Sequence, residues 1–492
     1  MGPVIVAGER DVRGIKHNGV EAYLGIPYAA APVGALRQQP PAPPAPWTGD
    51  RDATTYGPTA RKRGYASPYD ELLPEPHIEG DEYLNLNVWT PSRTGSLPVF
   101  VWIHGGAFVN GSGAVSLYDG SAFARDGVVC VTINYRLGVE GFLDPGEGVT
   151  NLGLRDQIAA LEWVRDNIAG FGGDPSRVTI GGESAGGMSV ACLLSSPRAK
   201  GLFRGAIMQS GAGHHAVTRD NAKLITGELA KRLDVEPTRE AIANVPIEQI
   251  LDAQIDMSAE IQAMPDPARW GEMVLSMMAF QPVVDSEVLP KLPIRSIEGG
   301  AGADVNVLIG ANTDENLLFM APSGALGVID AEMLTGAAMG YGLSEEAVAI
   351  YRANRPDASP GEVLAALATD WMFRIPAIRL AEARSETAGN TYVYEFAWRS
   401  TARDGILGAC HALEIPFAFD TLAAEETPWI AGEAPPQLLA DEMHRAWVRF
   451  IGDGDPGWDE YGDARTTMRF DEESQVVTDL RPDERLVWNG VR

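Results

Sequence analysis

Gly182-Glu183-Ser184-Ala185-Gly186 constrains this chain more than any other segment. Residues 178–180 before it are strand-like, and residues 188–194 after it are helix-like. The chain must therefore pass from strand to helix through a turn too sharp for side chains at its flanks, with one hydroxyl held at the apex. A serine so placed is exposed and strained. It also adjoins a helix start, whose free N–H groups and positive dipole end favour developing negative charge. Such a turn needs a buried strand and a packed helix around it.

The flanking sequence supplies both. Residues 98–103 are continuously apolar, as in a strand buried on both faces. Residues 128–135 read as strand, 156–169 as helix, and 206–208, 305–309 and 391–396 as further central strands. Strands alternating with helices at this spacing predict a mostly parallel sheet covered by helices, hence an α/β fold. Short strands near residues 4–6, 14–15 and 20–24, broken by the Asn18-Gly19 turn signal, predict an antiparallel N-terminal part. Residues 83–89 alternate in polarity, and the Pro-rich stretch 40–47 reads as a rigid surface loop. Residues 216–302 and 320–388 are helical, without a low-complexity linker on either side. The expectation is one domain, residues 1–492, in which these two insertions wall a pocket.

A serine hydroxyl is a poor nucleophile at neutral pH and needs a base, which in turn needs an orienting acid. Of the seven histidines, His411 stands in a loop after residues 391–396, the last clear strand. That placement gives the chain order serine, acid, histidine of the α/β-hydrolase fold. The acid is expected just past residues 305–309, where Asp314 and Glu315 both fit by spacing. After residues 98–103 come His104-Gly105-Gly106-Ala107-Phe108, small residues that let backbone approach a ligand. In this fold such a loop supplies oxyanion donors, with one more from the residue after the nucleophile, Ala185. Phe108, Phe319 and Phe417 are candidates for lining the acyl and alcohol pockets.

These segments together resemble the type B carboxylesterase family, the group that includes bacterial p-nitrobenzyl esterases and the cholinesterases. The likeness covers nearly the whole chain. It includes Gly25-Ile26-Pro27-Tyr28-Ala29 with Pro32-Val33-Gly34 near the start, and Phe171-Gly172-Gly173-Asp174-Pro175 before the nucleophile strand. The resemblance implies Ser184 as nucleophile, Glu315 rather than Asp314 as acid, and His411 as base. It implies Gly106, Ala107 and Ala185 as oxyanion donors, and Glu183, Ser210 and Glu414 as a buried polar network holding the base. Two departures stand out: Asn316 follows the acid where the family usually has Gly, and Tyr83 occupies a position that carries Cys in many secreted members.

The implied chemistry is two-step acyl transfer on short-to-medium acyl and aromatic esters, with a small-molecule substrate and no metal or organic cofactor. Carbamates or amides are the alternative bond, and a catalytically silent binding protein a more distant one. The formal charge of −28 repels nucleic acid and anionic membranes. Three cysteines, Cys130, Cys192 and Cys410, are too few and too far apart for a disulfide framework. No apolar run approaches the ~18 residues of a membrane span, and the first ten residues lack the pattern of a secretion signal. A cytoplasmic enzyme is expected, with its oligomeric state open and a monomer compatible. Asp453-Gly454-Asp455-Pro456-Gly457 begins like a calcium loop, but Gly and Pro intrude and a surface turn is expected.

Overall fold

Strands joined through helices run parallel, because a long crossover returns the chain to the same end of the sheet. The computed structural model, which describes residues 4–7, 10–146 and 148–492, has this architecture. Its main sheet comprises β1 (Ile15–His17), β2 (Val20–Pro27), β3 (Asn85–Thr90), β4 (Leu97–Ile103), β5 (Val129–Ile133) and β6 (Gly173–Glu183). It continues with β7 (Gly205–Gln209), β8 (Asn306–Asn312), β9 (Thr391–Phe396), β10 (Thr466–Phe470) and β11 (Gln475–Thr478). Among the described residues the spatial order is β11-β10-β9-β8-β7-β6-β4-β5-β3-β2-β1.

From β5 across to β10 every pairing is parallel; β1, β2 and β3 are antiparallel at one end and β11 at the other. A separate small sheet joins Val4–Ala7, Arg10–Arg13 and Arg51–Asp52. Of the N-terminal stretch read for a secretion signal, residues 1–3 and 8–9 lie outside the described residues.

The continuously apolar strands are buried on both faces, as their composition requires. Side chains alternate along a strand, so Val99, Val101 and Ile103 join one core while Phe100 and Trp102 join the core beneath the opposite face. β3 departs from its alternating pattern, since all six of its residues are buried. Its asparagines do not face solvent: Asn87 Nδ2 donates to Gly113 O and Thr132 Oγ1 at 3.1 and 2.9 Å, and Asn85 Nδ2 to Pro58 O at 2.8 Å. Buried amides satisfied by loop carbonyls explain a polar residue on an inner strand.

Helix α1 (Leu152–Asn167) packs on the sheet, and the mostly apolar α2 (Ala185–Ser195) is buried along its whole length, with the Ser189 and Ser195 hydroxyls hydrogen-bonded. Helices Arg219–Leu233 and Ile247–Ala263 fall in the first expected insertion, and Ala331–Gly340 and Ile375–Ala383 in the second. The insertions connect β7 to β8 and β8 to β9, neighbouring strands of the parallel set, and leave its order uninterrupted.

One buried ion pair ties α1 to the segment after β5. Arg136 and Asp156, with side chains 1% and 0% exposed, meet at 2.7 Å, and Asp156 also accepts from the Arg136 backbone N–H at 3.0 Å. Removing one partner leaves the other charge buried and unpaired. Asp156→Ala is expected to lower the unfolding free energy by about 3–5 kcal/mol, read from urea denaturation; a loss below ~1 kcal/mol would contradict this reading.

Candidate active site

The sheet brings four loops to the C-terminal ends of β4, β6, β8 and β9. β4 and β6 are neighbours, with Ile103 paired to Gly182, so the loop after β4 meets the turn after β6. β8 and β9 pair through Asn312 and Phe396, bringing the loops that follow them together.

β6 ends at Glu183 and α2 starts at Ala185, leaving Ser184 alone in the turn with φ 57° and ψ −124°. A non-glycine residue in that region is strained by roughly 1–3 kcal/mol and persists only where its surroundings over-determine it. They do so here. Ser184 N donates to Gln209 O at 2.9 Å, and Met188 N to Ser184 O at 2.9 Å. The turn is also tightly packed: a methyl group on Gly186 would stand 2.0 Å from Ile103 O, and one on Gly182 would stand 2.5 Å from the Gly186 carbonyl carbon. As the first residue of α2, Ala185 has an N–H outside the helical ladder.

In the loop after β4, Gly106, Ala107 and Phe108 all have positive φ, at 108°, 52° and 62°. The loop abuts the serine turn, since a methyl group on Gly105 would lie 3.1 Å from Ser184 Cβ. Gly106, Ala107 and Ala185, the expected oxyanion donors, therefore occupy loops in contact beside Ser184. His104 is a supporting residue. Its ring stacks on Tyr135 with centroids 4.4 Å apart, and Nδ1 lies 2.8 Å from Gly105 O. Burial holds its pKa down to about 3, keeping the ring neutral.

Glu315 and His411 come together as expected. Glu315 Oε2 lies 2.6 Å from His411 Nδ1, and Glu315 Oε1 accepts from Asn312 N at 2.7 Å. Asp314 turns away, pairing with Arg399 at 2.6 Å and accepting from Ala409 N at 3.0 Å. It serves the loop rather than the imidazole. Asn316 has φ −73°, an ordinary right-handed conformation, so this turn has no need of the glycine usual in the family.

The second ring nitrogen differs from expectation. His411 Nε2 lies 3.0 Å from Glu183 Oε1, and no hydrogen bond joins the ring to Ser184 Oγ among the described residues. Glu183 Oε1 has no hydrogen-bond partner, so the contact is charge pairing without alignment. Its cause is electrostatic. Burial disfavours the imidazolium, but the carboxylates of Glu183 and Glu315 outweigh burial and hold the His411 pKa above its ordinary value. A charged ring is drawn to the carboxylate, and catalytic hydrogen bonds in a free enzyme often tighten only when substrate arrives.

Behind this cluster, Glu414 accepts from Gln209 Nε2 at 3.0 Å and from Asn312 Nδ2 at 2.6 Å, and Trp447 Nε1 donates to Gln209 Oε1 at 2.9 Å. Ser210, expected to join this network, has φ 49° and a buried hydroxyl without a hydrogen bond. The His411 ring packs between Phe319 and Phe373, with centroids at 5.2 and 4.8 Å. Phe319 is half-exposed beside His411, whereas Phe108 and Phe417 are buried core residues, packed on Phe142 and on Phe396 and Trp398. Phe373 went unseen in the sequence. It lies in a π-helical turn, Asp370–Arg374, a feature often found at functional sites but without a sequence signature here.

Of the other histidines, His215 Nε2 is 2.8 Å from Met372 O, His444 Nδ1 is 2.8 Å from Ala418 O, His17 and His77 are exposed, and His214 Nδ1 is buried without a hydrogen bond. Among the described residues no group of three or more His, Cys, Asp or Glu is arranged to hold a metal.

The family model described as the carboxylesterase family matches residues 4–485. The para-nitrobenzyl esterase of Bacillus subtilis is 37% identical, the match covering 96% of each chain. The phenmedipham hydrolase of Pseudarthrobacter oxydans is 36% identical over 98% of each. A crystal structure of a Geobacillus stearothermophilus carboxylesterase superposes with a TM-score of 0.85 at 36% identity, covering 99% of each chain.

The carboxyl cluster carries a consequence for stability. Burial, then the like charges of Glu183 and Glu315, push the Glu414 pKa up to about 8. An unfolded glutamate titrates near about 4.3. Between those values the folded state keeps a proton that the unfolded state has lost, so stability falls as pH rises through the window, by on the order of a few kcal/mol. Glu414→Gln removes this titration. Its unfolding free energy is expected to decline less than wild type between about pH 6 and about pH 8.5 in chemical denaturation; parallel declines would contradict the assignment.

Proposed function

The chain belongs to the carboxylesterase family, and from that premise we propose that it cleaves its ester substrates with Ser184, His411 and Glu315. The protein is a serine carboxylic-ester hydrolase acting on small-molecule esters. The observation that supports this choice of residues is the 2.6 Å contact of Glu315 with His411 beside a serine held at φ 57°.

In the proposed mechanism a neutral His411 takes the Ser184 proton as the hydroxyl attacks the ester carbonyl. The N–H groups of Gly106, Ala107 and Ala185 hold the oxyanion of the tetrahedral intermediate. Collapse breaks the bond to the alcohol, which leaves with the proton from His411, and the acyl group remains on Ser184. Water then attacks the acyl-enzyme by the same steps and frees the acid. Glu315 fixes the ring's orientation throughout. Gln209 and Asn312 hold Glu414 behind Asn312, and Asn312 in turn holds Glu315 through its backbone N–H.

Phe319 and Phe373 flank the base with flat apolar faces, which favours aromatic and short-to-medium acyl esters. We read the chain as one unit in which insertions at about 216–302 and 320–388 wall the pocket. Among the described residues no helix is long and apolar enough to cross a membrane. Three free, buried cysteine thiols support the reading of a reducing, cytoplasmic setting.

Ser184→Ala is expected to reduce turnover of p-nitrophenyl butyrate by about 10⁶-fold; retention of most activity would reject the assignment. Glu183→Gln removes a negative charge from beside Nε2 and so lowers the His411 pKa. Only the neutral ring is a base, so the acidic limb of the kcat/KM profile is expected to move to lower pH. An unmoved or upward-shifted limb would contradict the electrostatic account.

A further inference from the structure

The segment between β2 and β3 sends two charged side chains under the loop that follows β4. Lys62 is 1% exposed at its side chain and Glu75 11%, and their Nζ and Oε1 atoms lie 2.9 Å apart. Both engage a single residue of the loop, Gly111. Its N–H donates to Glu75 Oε1 and Oε2 at 3.1 and 3.2 Å, and its carbonyl accepts from Lys62 Nζ at 3.2 Å. The pair thus clamps the amide on one side of Gly111 and the carbonyl on the other.

Gly111 passes this constraint directly to the residues beside the nucleophile. It has φ 93°, and a methyl group there would stand 2.3 Å from Gly105 O and 2.4 Å from His104 Nδ1. The loop also closes on itself, because Val109 N and Asn110 N both donate to Gly106 O, at 2.9 and 2.8 Å. Gly105 in turn abuts Ser184. The turn that carries Gly106 and Ala107 is therefore anchored by β4 at one end and by Lys62 and Glu75 at the other.

We propose that Lys62 and Glu75 are positioning residues of the esterase site, which hold the loop from Gly105 to Gly111 so that the Gly106 and Ala107 N–H groups stay aimed at the substrate's carbonyl oxygen. The inference rests on reading that loop as the oxyanion hole. Energetics favour a positioning role over simple stabilisation. A buried ion pair adds little to stability over apolar residues of similar volume, since desolvation cancels most of the attraction. What the pair supplies and apolar residues cannot is a donor and an acceptor matched to the carbonyl and the N–H of one residue, which fixes the two peptide groups on either side of it. A displacement of about 1 Å in a catalytic donor costs up to ~10²-fold in rate, so a clamp of this kind has leverage. The same pair borders a cavity of about 540 Å³, lined also by Tyr65, Leu73, His77 and Trp429.

The test compares wild type with Lys62→Met, Glu75→Gln and the double variant on p-nitrophenyl acetate, and measures inhibition by a trifluoromethyl ketone and its methyl ketone counterpart. The fluorinated ketone adds to the serine and presents an oxyanion, whereas the methyl ketone does so far less. Each single variant is expected to lose about 10–100-fold in kcat with KM within about twofold. Affinity for the trifluoromethyl ketone should fall by a similar factor, with little change for the methyl ketone. The double variant should be no worse than the poorer single, because both act through Gly111. If the neutral variants fail to fold, Glu75→Asp keeps the charge but withdraws the carboxylate from the Gly111 N–H, and the same kcat and inhibitor losses are expected of it. Unchanged kcat and inhibitor affinity in variants that fold, whatever their melting temperature, would overturn the positioning role. A wild-type enzyme with no preference for the trifluoromethyl ketone would instead overturn the oxyanion reading beneath it.

Discussion

The turn at Ser184 is the constraint on which the rest of the site depends. A side chain at φ 57° between a buried strand and a buried helix holds only if neighbouring backbone leaves it no alternative. That is why α2 is buried over its whole length and why Gly182 and Gly186 carry no side chain. It is also why the loop after β4 can run beside Ser184. The parallel order places β4, β6, β8 and β9 so that their following loops share one edge. A serine forced outward there stands against the loop after β4, the arrangement from which the proposed oxyanion donors and His411 would act.

Electrostatics then sets the resting state. Two buried carboxyl groups, Glu183 and Glu315, contact one imidazole, and a third, Glu414, lies behind them on Gln209 and Asn312. They cannot all be ionised cheaply, so Glu414 retains a proton near neutral pH, while Glu183 and Glu315 favour a charged His411. The 3.0 Å approach of Nε2 to Glu183 is the geometric counterpart of that balance. The proposed mechanism needs the opposite state, a neutral ring free to accept from Ser184. In the proposed mechanism Glu183 therefore tunes how readily the base becomes available, while Glu315 fixes which nitrogen would face the serine.

Much of this was legible in the sequence because the signals were strong and local. A continuous apolar run such as 98–103 has few ways to be buried, and a strand–glycine–serine–glycine–helix passage has one geometry. Other features depended on tertiary contacts. Asp314 and Glu315 are chemically alike and adjacent, and the Arg399 side chain and the Ala409 N–H, both distant in sequence, draw one of them away. The asparagines of β3 read as a solvent face, yet loop carbonyls bury and satisfy them. β10 and β11 are too short and too polar at their flanks to register as strands. Phe373 reaches the base through a π-helical turn, and Lys62 and Glu75 reach the loop through an irregular segment; neither has a periodicity to read.

The most direct measurement is a crystal structure of the protein after reaction with a phosphonate ester, whose phosphorus stands for the tetrahedral carbon. The account predicts phosphorus bonded to Ser184 Oγ, with its phosphoryl oxygen about 3 Å from the N–H groups of Gly106, Ala107 and Ala185. His411 Nε2 should have turned from Glu183 toward the serine oxygen and leaving-group position. Phosphorus on another residue, or an adduct on Ser184 with its oxygen away from those amides and His411 still paired with Glu183, would contradict it.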